Sequence, residues 1–203
     1  MVDPARDGRM KLDRPARRPA ALLLCALLAI GAAAGPAWAS RAASAEIRAA
    51  LPDARVQGQG EMRFFGLEVY AATLWTVAEV PPDRFASDPY AYPFALELRY
   101  ARSLKGEAIS ERSIAEMQRT QGLTPQQAVA WLALMKQVFP DVQEGDRITG
   151  VYTPGQGARF VYNGTPLRDI DDGAFARAFF GIWLSPKTSA PALRQALLFG
   201  SAV

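Results

Sequence analysis

Strand-forming and helix-forming stretches of this chain come in separate runs, and that order leaves few folds open to it. Aromatic and β-branched residues dominate from Met62 to Trp75, with Gly58, Gly60 and Gly66 interrupting residues 56–75, which reads as a pair of strands with bends. Pro81-Pro82 and Ser87-Asp88-Pro89 mark a loop, and Tyr92 to Tyr100 is a further strand. Two helices follow. The first lies within Leu104 to Arg119 and is closed by Gly122; the second opens on Thr124-Pro125 and runs to about Phe139. Strands then return over Arg147–Tyr152, Arg159–Tyr162 and Thr165–Ile170, with Asn163-Gly164 a strong two-residue hairpin signal. Asp171 or Asp172 caps a helix through Phe180, Gly181 to Ser189 reads as a loop, and Pro191 starts a last helix ending near Gly200. Segregated runs of this kind argue an α+β fold with an antiparallel sheet covered by helices, not alternating βαβ units.

The first 39 residues read as a secretory signal peptide. Arg6, Arg9, Lys11, Arg14, Arg17 and Arg18 give a basic start, Ala20–Ala34 an apolar run, and Ala37-Trp38-Ala39 a small-x-small cleavage site. Met10-Lys11 offers a second, more ordinary start. The competing reading is an uncleaved anchor, for which the run is marginal against the ~20 residues a spanning helix needs. Cleavage after Ala39 leaves one domain over residues 40–203 in an exported, periplasmic protein. It also removes the chain's whole excess of charge. The chain carries 23 Lys/Arg and 20 Asp/Glu; the leader holds six of the first and three of the second, leaving 17 of each sign. The net charge of +3 therefore argues for no nucleic-acid partner, and membrane contact is expected only through an uncleaved leader.

The single Cys, Cys25, lies in the leader, and the chain has no His. The domain therefore cannot use an intramolecular disulfide, a Cys nucleophile, a Ser-His-Asp triad or a His-bound zinc. About 164 residues suffice for a packed core instead, since such a domain buries ~70% of its unfolded surface. Gly58-x-Gly60 and Gly155-x-Gly157 lack the context of a nucleotide loop. Glu144, Asp146, Asp169, Asp171 and Asp172 lack calcium-loop spacing, so no metal and no cofactor are expected.

Several side chains could still hold a ligand. Arg112 and Glu116 stand four apart on the first long helix, so they either pair with each other or present an anion site. If residues 62–71 form one strand, Arg63, Phe65, Leu67, Val69 and Ala71 share a face, and Arg63 alone on it is charged. Such a guanidinium either sits at the strand end in water or points into a cleft to grip a carboxylate.

Residues 60–75, Leu96-Glu-Leu-Arg-Tyr100, Phe139-Pro-Asp-Val142, Gly145-Asp-Arg147, Tyr162-Asn-Gly164 and residues 179–194 together resemble the chalcone isomerase superfamily, in its bacterial chalcone isomerase-like branch. The resemblance implies an open-faced sandwich, a curved antiparallel sheet against a layer of helices, with a ligand cleft between. Family members either close a chalcone to a flavanone or bind fatty acids without catalysis. The catalytic set does not carry over. The core-strand Thr falls at Phe65, the Tyr and Asn near Ile109 and Glu116, and the late Thr or Ser in Phe179-Phe180. The catalytic Arg has only Arg55 near it, out of register. No catalytic residue is assigned. The resemblance implies a non-catalytic protein holding a small apolar or amphipathic ligand, such as a fatty acid. Its expected contacts are Arg63, Phe65, Leu67, Ile109, Arg112, Glu116 and Phe179. An isomerase or intramolecular lyase on another substrate is the alternative. A third reading makes exposed aromatics of residues 179–183 a partner patch. The oligomeric state is left open.

Overall fold

Six strands lie in chain order in one wholly antiparallel sheet. They are β1 (Ala54–Phe64), β2 (Leu67–Val77), β3 (Phe94–Tyr100), β4 (Arg147–Thr153), β5 (Gly157–Tyr162) and β6 (Thr165–Ile170). The helices are α1 (Ala45–Ala50), α2 (Pro82–Ser87), α3 (Gly106–Gln121), α4 (Pro125–Val138), α5 (Gly173–Leu184) and α6 (Pro191–Phe199). The computed structural model describes residues 42–200. Contacts divide the chain into Met1–Ser40 and Arg41–Val203, and every described residue belongs to the second unit. The signal-peptide reading of residues 1–39 falls outside the described residues.

Alternation along the strands decides which side the helices cover. Leu74, Phe94, Leu96, Tyr152 and Phe160 point to one side and join Phe175, Phe179 and Phe180 of α5 in the main core. The rings meet edge to face: Phe94 with Phe180 at 4.9 Å and Phe160 with Phe179 at 5.0 Å between centroids. The far face is not wholly open. Ile47 of α1 and Leu51, which caps it, pack on Trp75, Ala95 and Val151 there. Arg147 ties α1 down by reaching Glu46 at 3.0 Å and Glu97 at 3.3 Å.

The helix ends follow local chemistry. Thr124 and Gln127 form a reciprocal capping box at the start of α4. Asp172 caps α5 by accepting from the backbone N–H groups of Ala174 and Phe175, and its other oxygen accepts from Trp131 Nε1. Gly122 ends α3 with φ of 73°.

Three elements differ from the sequence reading. Residues 62–71 are not one strand but the tip of the β1–β2 hairpin, which turns through Phe65 and Gly66, both at positive φ. Helix α5 does not stop at Phe180. It runs on through Gly181, whose missing side chain lets Gln121, Thr120 and Tyr90 come close. That burial replaces the helix propensity glycine lacks. Pro82–Ser87 is a short helix, with Pro82 in its first turn.

Helix α6 packs against β1 because Gly58 and Gly60 leave room for it. A Cβ on Gly58 would collide with the backbone carbonyls of Ala196 and Leu197. Backbone cannot step aside as a side chain can, so Gly58→Ala should cost about 2 kcal/mol or more. Urea unfolding of the variant checks this; an unchanged midpoint would mean α6 does not sit so close.

Candidate ligand cleft

Between the first three strands and helices α3 and α5 lies a cleft of about 310 Å³. Met62, Phe64, Val69, Tyr70, Leu98 and Tyr100 line it from the sheet. Ala108, Ile109, Arg112, Ser113 and Glu116 line it from α3, and Phe179, Ile182 and Trp183 from α5. Thr188, Ser189, Ala190 and Leu104 also line it, as does Arg102, which is exposed at its rim. The wall is mostly apolar, with a few polar groups set into it, the usual make-up of a small-molecule site.

The polar groups cluster. Arg112 Nη2 lies 2.6 Å from Glu116 Oε1, and Arg119 Nε lies 3.4 Å from Glu116 Oε2. The Glu116 side chain is only 7% exposed, whereas Arg112 is 60% exposed. Glu116 Oε2 accepts no hydrogen bond among the described residues; the Arg119 contact has ion-pair distance without hydrogen-bond alignment. Two guanidiniums on one carboxylate leave the cluster with a positive excess, which favours an anion beside it.

Tyr70 accepts a hydrogen bond from Trp183 Nε1 at 3.0 Å, which leaves its own O–H free to donate. Its ring meets that of Tyr100, its partner in the β2–β3 register, edge-on at 6.0 Å. Burial pushes the Tyr70 hydroxyl up to about 12, opposed by the Trp183 hydrogen bond and the charge of Arg112 and aided by the charge of Glu116. Burial and Tyr70 push Tyr100 higher still. Both therefore stay protonated donors at any physiological pH.

The same shifts make a stability prediction. A tyrosine with a raised folded value stabilises the fold fully below its unfolded pKa, near 10. That stabilisation is lost as pH rises through the folded value. Tyr70, Tyr90 and Tyr100 are all raised by burial. Thermal midpoints should fall steeply as pH climbs from about 10 to about 12, more gently in Tyr100→Phe. An unchanged slope in that variant would contradict a buried Tyr100 hydroxyl.

Ile109, Arg112, Glu116 and Phe179, all expected contacts, meet in this cleft; Arg63, Phe65 and Leu67 lie outside it. Arg63 turns instead to Glu61, with Nη2 at 2.6 Å, and its side chain is 56% exposed. Phe65 is 91% and Leu67 58% exposed at the hairpin tip. The single-strand reading placed all three on a cleft-facing side, and the turn at residues 65–66 breaks that alternation. The aromatics of residues 179–183 form no surface patch, since Phe179, Phe180, Ile182 and Trp183 are buried. Tyr70 was not singled out from sequence. The Tyr70–Tyr100 pairing is a cross-strand relation that no local spacing reveals.

A family model described as chalcone isomerase-like matches residues 45–199. The chain belongs to the chalcone isomerase-like family. A protein of Haemophilus influenzae described as uncharacterized is 32% identical over 106 residues, 52% of this chain. The match spans about half of that curated relative, 52% of its length. Among solved structures, a fatty-acid binding protein of Arabidopsis thaliana superposes with a TM-score of 0.55 at 14% identity. The superposition covers 72% of this chain and 87% of the plant one, and at that identity it shows a shared fold.

In this chalcone isomerase-like chain the positions matched to the family's catalytic groups are scattered. Phe65 sits at the exposed hairpin tip. The Arg55 guanidinium donates to the Val80 carbonyl. Ile109, Glu116 and Phe179 alone of that set line the cleft.

Proposed function

We propose that this protein is an exported binding protein that holds one fatty acid in the cleft between sheet and helices. The observation that carries the reading is the cleft itself: an apolar wall with cationic and hydroxyl donors gathered at one place. Arg112 would take the carboxylate, with the Tyr70 and Tyr100 hydroxyls donating to it, and Glu116 would hold the guanidinium in position. The alkyl chain would lie among Leu98, Ile109, Phe179 and Ile182. A volume of about 310 Å³ suits one acyl chain better than a two-chain lipid. The family and the fatty-acid-binding plant protein of the same fold support the same ligand class.

Export rests on the basic, apolar and small-x-small order of residues 1–39. Amino-terminal sequencing of protein recovered from cells should begin at Ser40. Calorimetric titration tests the ligand: a long-chain fatty acid should bind at one site, and the matching alcohol more weakly. A protein that takes up neither would end the proposal.

A second reading is an isomerase or intramolecular lyase on an unidentified substrate. The Glu116 Oε2 in the cleft wall favours it, because a carboxylate oxygen that accepts no hydrogen bond among the described residues is open to one from a substrate. The raised tyrosines weigh against a phenolate base at neutral pH. A chalcone turnover assay is expected to show no activity.

A further inference from the structure

Three large apolar side chains stand in water at the tip of the β1–β2 hairpin: Phe64, Phe65 and Leu67. Phe64 belongs to two places at once. It lines the cleft, yet it is 55% exposed and its ring meets that of Phe65 edge-on at 4.5 Å. The apolar wall of the cleft therefore continues without a break onto the tip. The turn itself faces open space: apart from its chain neighbours, nothing lies within 4 Å of where a Gly66 side chain would begin.

The backbone makes Phe65 harder to explain as an accident. The chain builds two hairpin turns with the same pair of positive φ angles. One uses Asn163 (48°) and Gly164 (86°), the other Phe65 (47°) and Gly66 (79°). Asparagine tolerates that region and a bulky aromatic does not. Strain of this kind persists where the side chain has a use.

We propose that this tip inserts into a phospholipid bilayer and seats the cleft mouth on the membrane surface. A stable protein interface buries roughly 800 Å² per partner, more than a two-residue turn offers. An interfacial membrane contact needs a depth of only ~5–10 Å, which such a tip can reach. Just behind the tip, Arg63 lies within ion-pair reach of both Glu61 and Glu68, at 2.6 and 4.0 Å, which offsets part of their negative charge. Arg102 on the cleft rim is exposed and has no ion-pair partner among the described residues, so it is available to a lipid phosphate. The inference rests on the fatty-acid reading only for its purpose, which is exchange of the ligand with the bilayer.

The test is flotation with vesicles of phosphatidylcholine and phosphatidylglycerol, using protein purified from the cells that make it and no added fatty acid. Phe65→Asn installs the residue the other turn already uses, so the fold should be as stable or more so. Phe65→Asn with Leu67→Thr removes two of the three exposed apolar side chains and keeps a strand former at residue 67. The parent should float with the vesicles. The single variant should partition roughly tenfold less and the double variant roughly a hundredfold less. Fatty-acid uptake from solution should survive in both. Equal flotation of parent and double variant overturns the proposal, as does a parent that stays with the soluble fraction. A parent that ignores vesicles but loses a protein partner on Phe65→Asn also overturns it, in favour of protein docking. If the variants differ in flotation and none takes up fatty acid, the membrane contact stands and the cargo reading falls.

Discussion

Replacing Arg112 by methionine together with Glu116 by leucine should weaken fatty-acid binding on the order of a hundredfold while leaving stability nearly unchanged. The loss follows from removing a charge-assisted contact to the carboxylate, typically ~1.5–3 kcal/mol. The unchanged stability follows from exchanging both partners at once, since Glu116 is buried and Arg112 60% exposed, and an apolar pair of similar size replaces such a half-buried ion pair at little cost. Arg119 loses its partner but is 46% exposed and stays solvated. Arg112→Ala alone is a poorer test, because Glu116 would be left buried with only the looser Arg119 contact. Binding of the matching alcohol should change little in the double replacement. Comparable losses for acid and alcohol would mean the pair shapes the cleft and does not hold the carboxylate.

Truncating Phe180 to alanine should lower unfolding free energy by about 3–5 kcal/mol. The ring is fully buried, with neighbouring rings Phe94 at 4.9 Å, Phe179 at 5.5 Å and Tyr152 at 6.0 Å. Its edge rests where Gly150 has no side chain: a Cβ there would stand 3.0 Å from Phe180 Cε1. A seat defined on the sheet side by a missing side chain has little that can collapse into the void. Urea unfolding gives the value. A loss below about 1 kcal/mol would show that the core repacks around the gap. Phe180 does not line the cleft, so fatty-acid affinity should fall far less than stability does.

The sheet and most helices were legible because their signals are local. Asn163-Gly164 sets a two-residue hairpin turn, Thr124-Pro125 starts α4, Gly122 ends α3 and Asp172 caps α5, each through chemistry within a few residues. The hairpin tip was not legible, because Phe65-Gly66 reproduces the Asn-Gly backbone with a residue that disfavours it. Reading through that turn carried Arg63, Phe65 and Leu67 to a face they do not share with the cleft. Gly181 misled for a related reason. Sequence offers glycine as a breaker, whereas the helix uses it to let α3 approach. On α3 itself, helical spacing sufficed to bring Ile109, Arg112 and Glu116 to one wall. The tyrosine donors opposite them depend on β2–β3 register and on Trp183, which lies 113 residues from Tyr70 along the chain.

The most direct measurement on the fatty-acid reading is native mass spectrometry of the protein as recovered from cells, beside Ile109→Trp. Ile109 lines the cleft and is only half-buried, so a larger ring there should block the space without unfolding α3. The expected spectrum shows the parent carrying one additional mass that matches a long-chain carboxylic acid, with that mass absent from the variant. A parent that emerges empty, and stays empty when fatty acid is added, contradicts the reading.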